Sequence, residues 1–81
     1  MTSSSEDVRV ELIKRGLEEA GALIALLQPL HGAALRSRLD ALTRTVDAWC
    51  MVAPTRIQRS LMVNAVLELN LDVMKARRES R

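Results

Sequence analysis

The stretch IQRSLMVNAVLELNLDVM, residues 57–74, carries the strongest fold signal in the sequence. Most of its side chains are apolar, and the polar ones that recur at helical spacing are Ser60, Asn64, Glu68 and Asp72. A helix that is apolar around most of its circumference is buried and does not simply rest on a surface. The stretch therefore predicts a helix with more apolar surface than one short chain can cover.

The same stretch contains an alternation that is typical of a half-buried strand. Residues 67–73 read LELNLDV, in which apolar and polar side chains alternate strictly. We favour a helix because Thr55 and Gln58 form a capping-box pattern just before it, and because Leu, Met and Ala favour helices. No partner strand is evident elsewhere in the sequence. Helix and strand remain the two alternatives for residues 66–74.

We expect three helices, near residues 5–28, 32–53 and 56–77. In the first two, apolar residues recur at alternating steps of three and four, which is typical of one buried helix face. These residues are Val10, Ile13, Leu17, Ala20, Ile24 and Leu27 in the first helix, and Leu35, Leu39, Leu42, Val46, Trp49 and Ala53 in the second. Either a capping box of Ser3 with Glu6 or an N-cap at Ser5 begins the first helix.

Prolines and glycines mark the breaks between these helices. Proline cannot continue a helix and glycine relieves a turn, so Pro29 with Gly32 ends the first helix, and Pro54 ends the second. Gly16 and Gly21 fall inside the first helix, where each weakens it by roughly 1 kcal/mol relative to alanine. They are either tolerated there or mark a place where another part of the backbone comes close.

The composition is that of one small folded domain. The chain has 81 residues, of which 48% are apolar and 27% are charged. We predict a disordered N-terminus at residues 1–4, a single helical domain at residues 5–77 and a basic, frayed tail at residues 78–81. The predicted fold class is all-α, a three-helix antiparallel bundle that dimerisation completes, because so short a chain buries little surface by itself.

The sequence also indicates where the protein resides. It contains no run of 18 or more uncharged apolar residues, so we expect no membrane-spanning segment and no membrane partner. The first residues, MTSSSED, lack the basic region and apolar core of a signal peptide. Together with the single cysteine, Cys50, this predicts a cytoplasmic protein.

The side chains that carry chemistry are too few for most kinds of catalytic or metal site. A structural zinc site needs four Cys or His ligands, whereas the chain has one of each, Cys50 and His31. Cys50 follows Trp49 at the apolar end of the second helix and is expected to be packed or half-buried there. Glu18 and Glu19 are neighbours on a helix and point apart, so they do not form an acid–base pair. We predict no enzymatic activity, no metal and no cofactor.

These features predict a small non-enzymatic protein–protein interaction module. It would act as a regulator or adaptor, of the anti-activator, chaperone or inhibitor type, by binding a larger protein, and it would form a homodimer. The third helix and the end of the first supply the predicted interface with itself or with a partner. The interface residues are Ile57, Leu61, Met62, Val66, Leu67, Leu69, Leu71, Val73, Met74, Leu23 and Leu26.

The alternative is a dimeric DNA-binding transcriptional regulator. Arg56 and Arg59 fall in the first turn of the third helix, where the helix dipole disfavours cations, and residues placed against a local rule are candidates for function. Arg77 and Arg78 add positive charge near the C-terminus. These four residues are predicted contacts for an anion or an acidic partner. Nucleic acid is the less favoured partner, because Leu and Val dominate the remainder of the third helix.

Overall fold

The computed structural model describes the backbone of residues 5–79 and the side chains of residues 8–79. Three helices are present in this part of the chain: α1 (Ser5–Ile24), α2 (Pro29–Ala48) and α3 (Arg56–Glu79). Each helix packs against the other two, and the described residues contain no strand. The all-α, three-helix prediction is therefore confirmed, and residues 66–74 are helical.

Two predictions concern residues at the chain ends. The predicted disordered segment, residues 1–4, lies outside the described residues, as do the side chains of the proposed caps Ser3, Ser5 and Glu6. At the other end, α3 continues through Arg78 to Glu79, so the helix extends beyond the predicted end at residue 77. The last two residues of the predicted tail are likewise not described.

The first connection differs from the prediction in the role of proline. After α1 ends at Ile24, the chain forms a tight turn, in which the Leu27 N–H donates to the Ile24 carbonyl at 3.0 Å. Gln28 is extended and Pro29 opens α2, a position where the missing N–H costs nothing and the fixed φ suits the helix. Gly32 then lies inside α2 without a positive φ, so its predicted role in the turn is wrong.

The second helix is shorter than predicted. It ends at Ala48, and the following turn is closed by the Met51 N–H, which donates to the Ala48 carbonyl at 3.0 Å. Pro54 restricts the residue before it, Ala53, to an extended conformation. In addition, Met51 is 84% exposed, so a longer helix would find no core to pack against. The inclusion of Ala53 in the buried face of the second helix is therefore wrong.

The start of α3 is fixed by side chains. The Thr55 N–H donates to Gln58 Oε1 at 2.8 Å, and the Gln58 N–H donates to Thr55 Oγ1 at 3.1 Å. Two backbone donors that a helix N-terminus leaves without intrahelical acceptors are satisfied in this way. The predicted capping box is confirmed, and it fixes the residue at which α3 begins.

The core is formed by one face of each helix. Its buried residues are Ile13, Leu17, Ala20 and Ile24 of α1, Leu35, Leu39 and Val46 of α2, and Met62, Val66, Leu69 and Val73 of α3. Leu69 and Val73 are completely buried at the centre of α3. The partly buried Leu27, Leu42 and Trp49 pack against this core. The apolar faces predicted for the first two helices are thus confirmed from Ile13 to Leu27 and from Leu35 to Trp49.

Gly16 allows α1 and α3 to come close together. A Cβ atom built on Gly16 would lie 2.6 Å from Val66 Cγ1, a separation too short for two carbon atoms. Beside it, Asn70 Nδ2 donates to the Gly16 carbonyl at 3.3 Å and to the Val66 carbonyl at 3.0 Å. Close approach, and not mere tolerance, therefore explains Gly16. At Gly21 the nearest atom, Leu39 Cδ2, would be 3.3 Å from an added Cβ.

We predict that Gly16→Ala lowers the free energy of unfolding by roughly 1–2 kcal/mol, although alanine is the better helix former. The side chain of Val66 is β-branched and stiff in a helix, so it cannot rotate away from the new methyl group. Gly32→Ala is the matched control. Its added Cβ would meet neighbours at 3.5 Å or more, so this variant should gain up to about 1 kcal/mol.

Urea unfolding, followed by helical circular dichroism and by the fluorescence of Trp49, measures both effects. Equal stabilisation of the protein by the two substitutions would show that α1 and α3 are not in close contact at Gly16.

Candidate interaction surface

The side of α3 opposite its buried face is exposed along the helix. The buried face of α3 includes Met62, Val66, Leu69 and Val73. A second row follows the helix at steps of four and three, and all its side chains are exposed: Ser60, Asn64, Leu67, Leu71, Met74 and Arg78. With 3.6 residues per turn, the two rows lie on opposite sides of the helix. We call the second row the outer face of α3.

The centre of the outer face is apolar. Leu67 is 58% exposed, Leu71 is 65% exposed and Met74 is 52% exposed. Ile57 and Leu61, at 72% and 63% exposure, lie nearer the N-terminus on the side of the helix that carries Glu68, beside the outer face and not on it. Single exposed apolar residues are ordinary, but a row of them on one helix marks a surface that can bind another molecule.

Polar contacts define the two edges of the outer face. On one edge Asn70 donates to the carbonyl of Gly16, which places α1 on that side. On the other edge Arg38 Nη1 and Asp72 Oδ2 form an ion pair at 2.6 Å, which places α2 there. The outer face lies between these contacts and points away from both neighbouring helices.

The structure divides the predicted interface residues into two groups. Met62, Val66, Leu69 and Val73 belong to the chain's own core, so their assignment to an interface is corrected. The two neighbouring helices are enough to bury one side of α3, and these four residues occupy that side. Ile57, Leu61, Leu67, Leu71 and Met74 remain exposed on α3.

The two predicted interface residues near the end of α1 also differ from each other. Leu23 is partly buried and packs against the core. Leu26 lies in the turn after α1 and is 73% exposed. Of these two residues, Leu26 is the one that presents most of its side chain to solvent.

Arg59 is buried and has a structural role that the sequence did not predict. It is 6% exposed, and its Nη1 donates to the Pro54 carbonyl at 2.9 Å. Its position continues the buried face of α3, three residues before Met62, so its aliphatic part lies along the core. The prediction that Arg59 contacts an anion or acidic partner is therefore corrected. Arg56, Arg77 and Arg78 are exposed.

A groove between α1 and α2 is a second surface feature, and the sequence did not predict it. It has a volume of about 440 Å³, and its rim carries Lys14 and Glu18 of α1 and Asp47 of α2. The apolar side chains of Leu17 and Leu39 form part of its wall. The absence of a side chain at Gly21, which also lines the groove, is the only sequence signal that could have indicated it.

The described residues contain neither a candidate metal site nor a helix that could span a membrane. No three His, Cys, Asp or Glu side chains among them come together as a candidate metal site. None of their helices combines the length and apolar content needed to cross a membrane.

Cys50 is exposed in the turn after α2, so the expectation that it is packed or half-buried is wrong.

Comparison with known proteins gives no match: no family model matches the sequence, and neither a curated protein nor a solved structure is similar to the chain.

We predict that Arg59→Ala lowers the free energy of unfolding by roughly 1–3 kcal/mol, because the variant loses both the hydrogen bond to Pro54 and the packing of the aliphatic chain. Arg56→Ala removes the same charge from an exposed position nearby and should change stability by less than about 0.5 kcal/mol. Thermal and urea unfolding of the two variants measure the difference. A stability loss that is the same for both would contradict the buried role of Arg59.

Proposed function

We propose that this chain is a non-enzymatic helical interaction module that acts as a regulator or adaptor by binding a larger protein through the outer face of α3. The observation that carries the proposal is the row of Leu67, Leu71 and Met74, each more than half exposed. Covering such side chains contributes about 25 cal/mol for each Å² of apolar surface removed from water. The outer face can thus supply binding free energy that the isolated chain does not use.

The module fits a known mode of recognition in which one apolar side of a helix is laid into a groove of a partner. Leu67, Leu71 and Met74 have the spacing of such anchors. Met74 adds a flexible side chain that adapts to the shape of the opposing surface. Anti-activators, chaperones and inhibitors all act by occupying a partner's surface in this way, and the proposal assigns no catalytic residue.

We further propose a single domain of three antiparallel helices that self-associates through the outer face. The short connections, residues 25–28 and 49–55, favour antiparallel neighbours. The groove supports the same arrangement for α1 and α2, since Lys14 and Asp47 both line it, and so do Gly21 and Leu39.

We also propose a cytoplasmic location, and an exposed, unpaired Cys50 is compatible with a reducing compartment.

The proposal predicts that Leu67→Glu abolishes binding to the larger protein, while helicity and the unfolding midpoint, measured at submicromolar protein where the chain is monomeric, stay unchanged. The reason is that Leu67 is 58% exposed and contributes little to the core. Leu12→Glu on α1 is a closely matched control, because Leu12 is also 58% exposed. Parallel affinity capture with the three forms, followed by circular dichroism, provides the measurement.

A specific partner should be captured by the parent chain and by the Leu12 variant, and lost with the Leu67 variant. If the same proteins are captured by all three forms, the outer face of α3 is not the binding surface, and the proposed function fails.

DNA binding is the alternative that an electrophoretic shift assay can test. With Arg59 in the core, the alternative depends on Arg56 at one end of α3 and on Arg77 and Arg78 at the other, about 30 Å away. We expect no protein–DNA complex whose affinity falls steeply between about 50 and 200 mM salt. A salt-sensitive complex that disappears when Arg56, Arg77 and Arg78 are replaced by alanine would favour the alternative.

A further inference from the structure

We infer that, when no larger protein is bound, a second copy of this chain covers the outer face of α3, and that the two α3 helices run antiparallel with Leu71 at the twofold axis. This inference rests on the proposed function, because it takes the outer face of α3 to be a protein-binding surface. To the self-association already proposed, it adds the direction of the second helix and the register.

The spacing of the outer face allows a register in which the two helices are centred on Leu71. Ser60, Asn64, Leu67, Leu71, Met74 and Arg78 repeat at steps of four and three, which is the spacing of a helix–helix seam. With the twofold axis at Leu71, that residue meets its own copy, and Leu67 meets Met74 of the second copy. Asn64 meets Arg78 at each end, so a side-chain amide oxygen can accept a hydrogen bond from a guanidinium group.

The charges beside the seam are self-complementary in this register. Glu68 lies three residues before Leu71 and Lys75 lies four residues after it, on the same side of the helix, and both are exposed. An antiparallel pairing centred on Leu71 places Glu68 of each copy beside Lys75 of the other. Exposed ion pairs add little affinity, but their arrangement selects the orientation of the partner.

Two alternative arrangements of the same two helices bring like charges together. A parallel pairing places Arg78 against Arg78 of the second copy within the seam. An antiparallel pairing centred on Leu67 instead of Leu71 brings the two Glu68 carboxylates together and sets Asn64 against Leu71. Like-charge juxtaposition is unfavourable in both cases, so the register centred on Leu71 is the one that the charges support.

The size of this contact fits a dimer that dissociates readily. The seam from residue 64 to residue 78 is about 21 Å long. A contact between two helices of that length lies at the low end of interface areas, below about 1,200 Å². We therefore expect a dissociation constant in the micromolar range, which allows a larger protein to displace the second copy.

Charge reversal tests the register. Sedimentation equilibrium over about 1 µM to 1 mM protein measures the dissociation constant of the parent chain and its variants. Glu68→Lys or Lys75→Glu alone should raise this constant roughly three- to tenfold, and the double variant should return it to within about twofold of the parent value. Glu11→Lys on α1 makes the same change in net charge as Glu68→Lys, but away from the seam, and should have no effect.

A distance measurement tests the direction of the helices independently. Cys50→Ser removes the only native thiol, and Ser60→Cys then carries a single spin label per chain. Ser60 lies eleven residues before Leu71, so the two labels of an antiparallel dimer should be about 35 Å apart. A parallel dimer would bring them to about 10 Å.

Failure of the proposed dimer and failure of the proposed function give different experimental results. A chain that stays monomeric near 1 mM, labels that lie close together, or a double charge variant that is not rescued would each overturn the inference. In those cases loss of partner capture with Leu67→Glu would still support the proposed function. Conversely, a dimer that obeys the charge and distance tests would stand even if no larger protein is captured.

Discussion

A helix in a three-helix unit can bury only one of its sides, and α3 is apolar on two. The interior side is taken by Val66, Leu69 and their neighbours, where the contact with Gly16 brings α1 close. This leaves Leu67, Leu71 and Met74 on the exterior. The capping box at Thr55 and Gln58 fixes where the helix begins, and Asn70 and Asp72 connect it to α1 and α2 at the two edges of the outer face. The packing of the three helices therefore leaves the outer face exposed.

Much of the fold could be predicted because its signals are local. The steps of three and four in α1 and α2, and the Thr55–Gln58 pattern, each lie within a few turns of one helix. The helix ends were less predictable, since Pro29 can either stop a helix or open the next one. In this chain Gln28 is extended and Pro29 opens α2.

The site could be predicted only in part, because its definition depends on contacts between distant residues. Periodicity identifies α3 as apolar on several sides, but it does not say which side its neighbours cover. Val66 and Leu67 are adjacent and similar in character, yet one is buried and the other exposed. Arg59 shows the same limit, since its charge suggested a binding role while its position continued the buried face. Only the placement of α1 and α2 distinguishes these cases.

The contact between Gly16 and Val66 also constrains how the sequence can change over evolutionary time. The two residues lie on different helices and share one fixed volume, since a Cβ on the first would come within 2.6 Å of the second. A larger residue at position 16 can be accommodated when position 66 becomes smaller in compensation. The acceptability of a substitution at either position thus depends on the residue at the other, and we expect the two positions to covary among descendants of this chain.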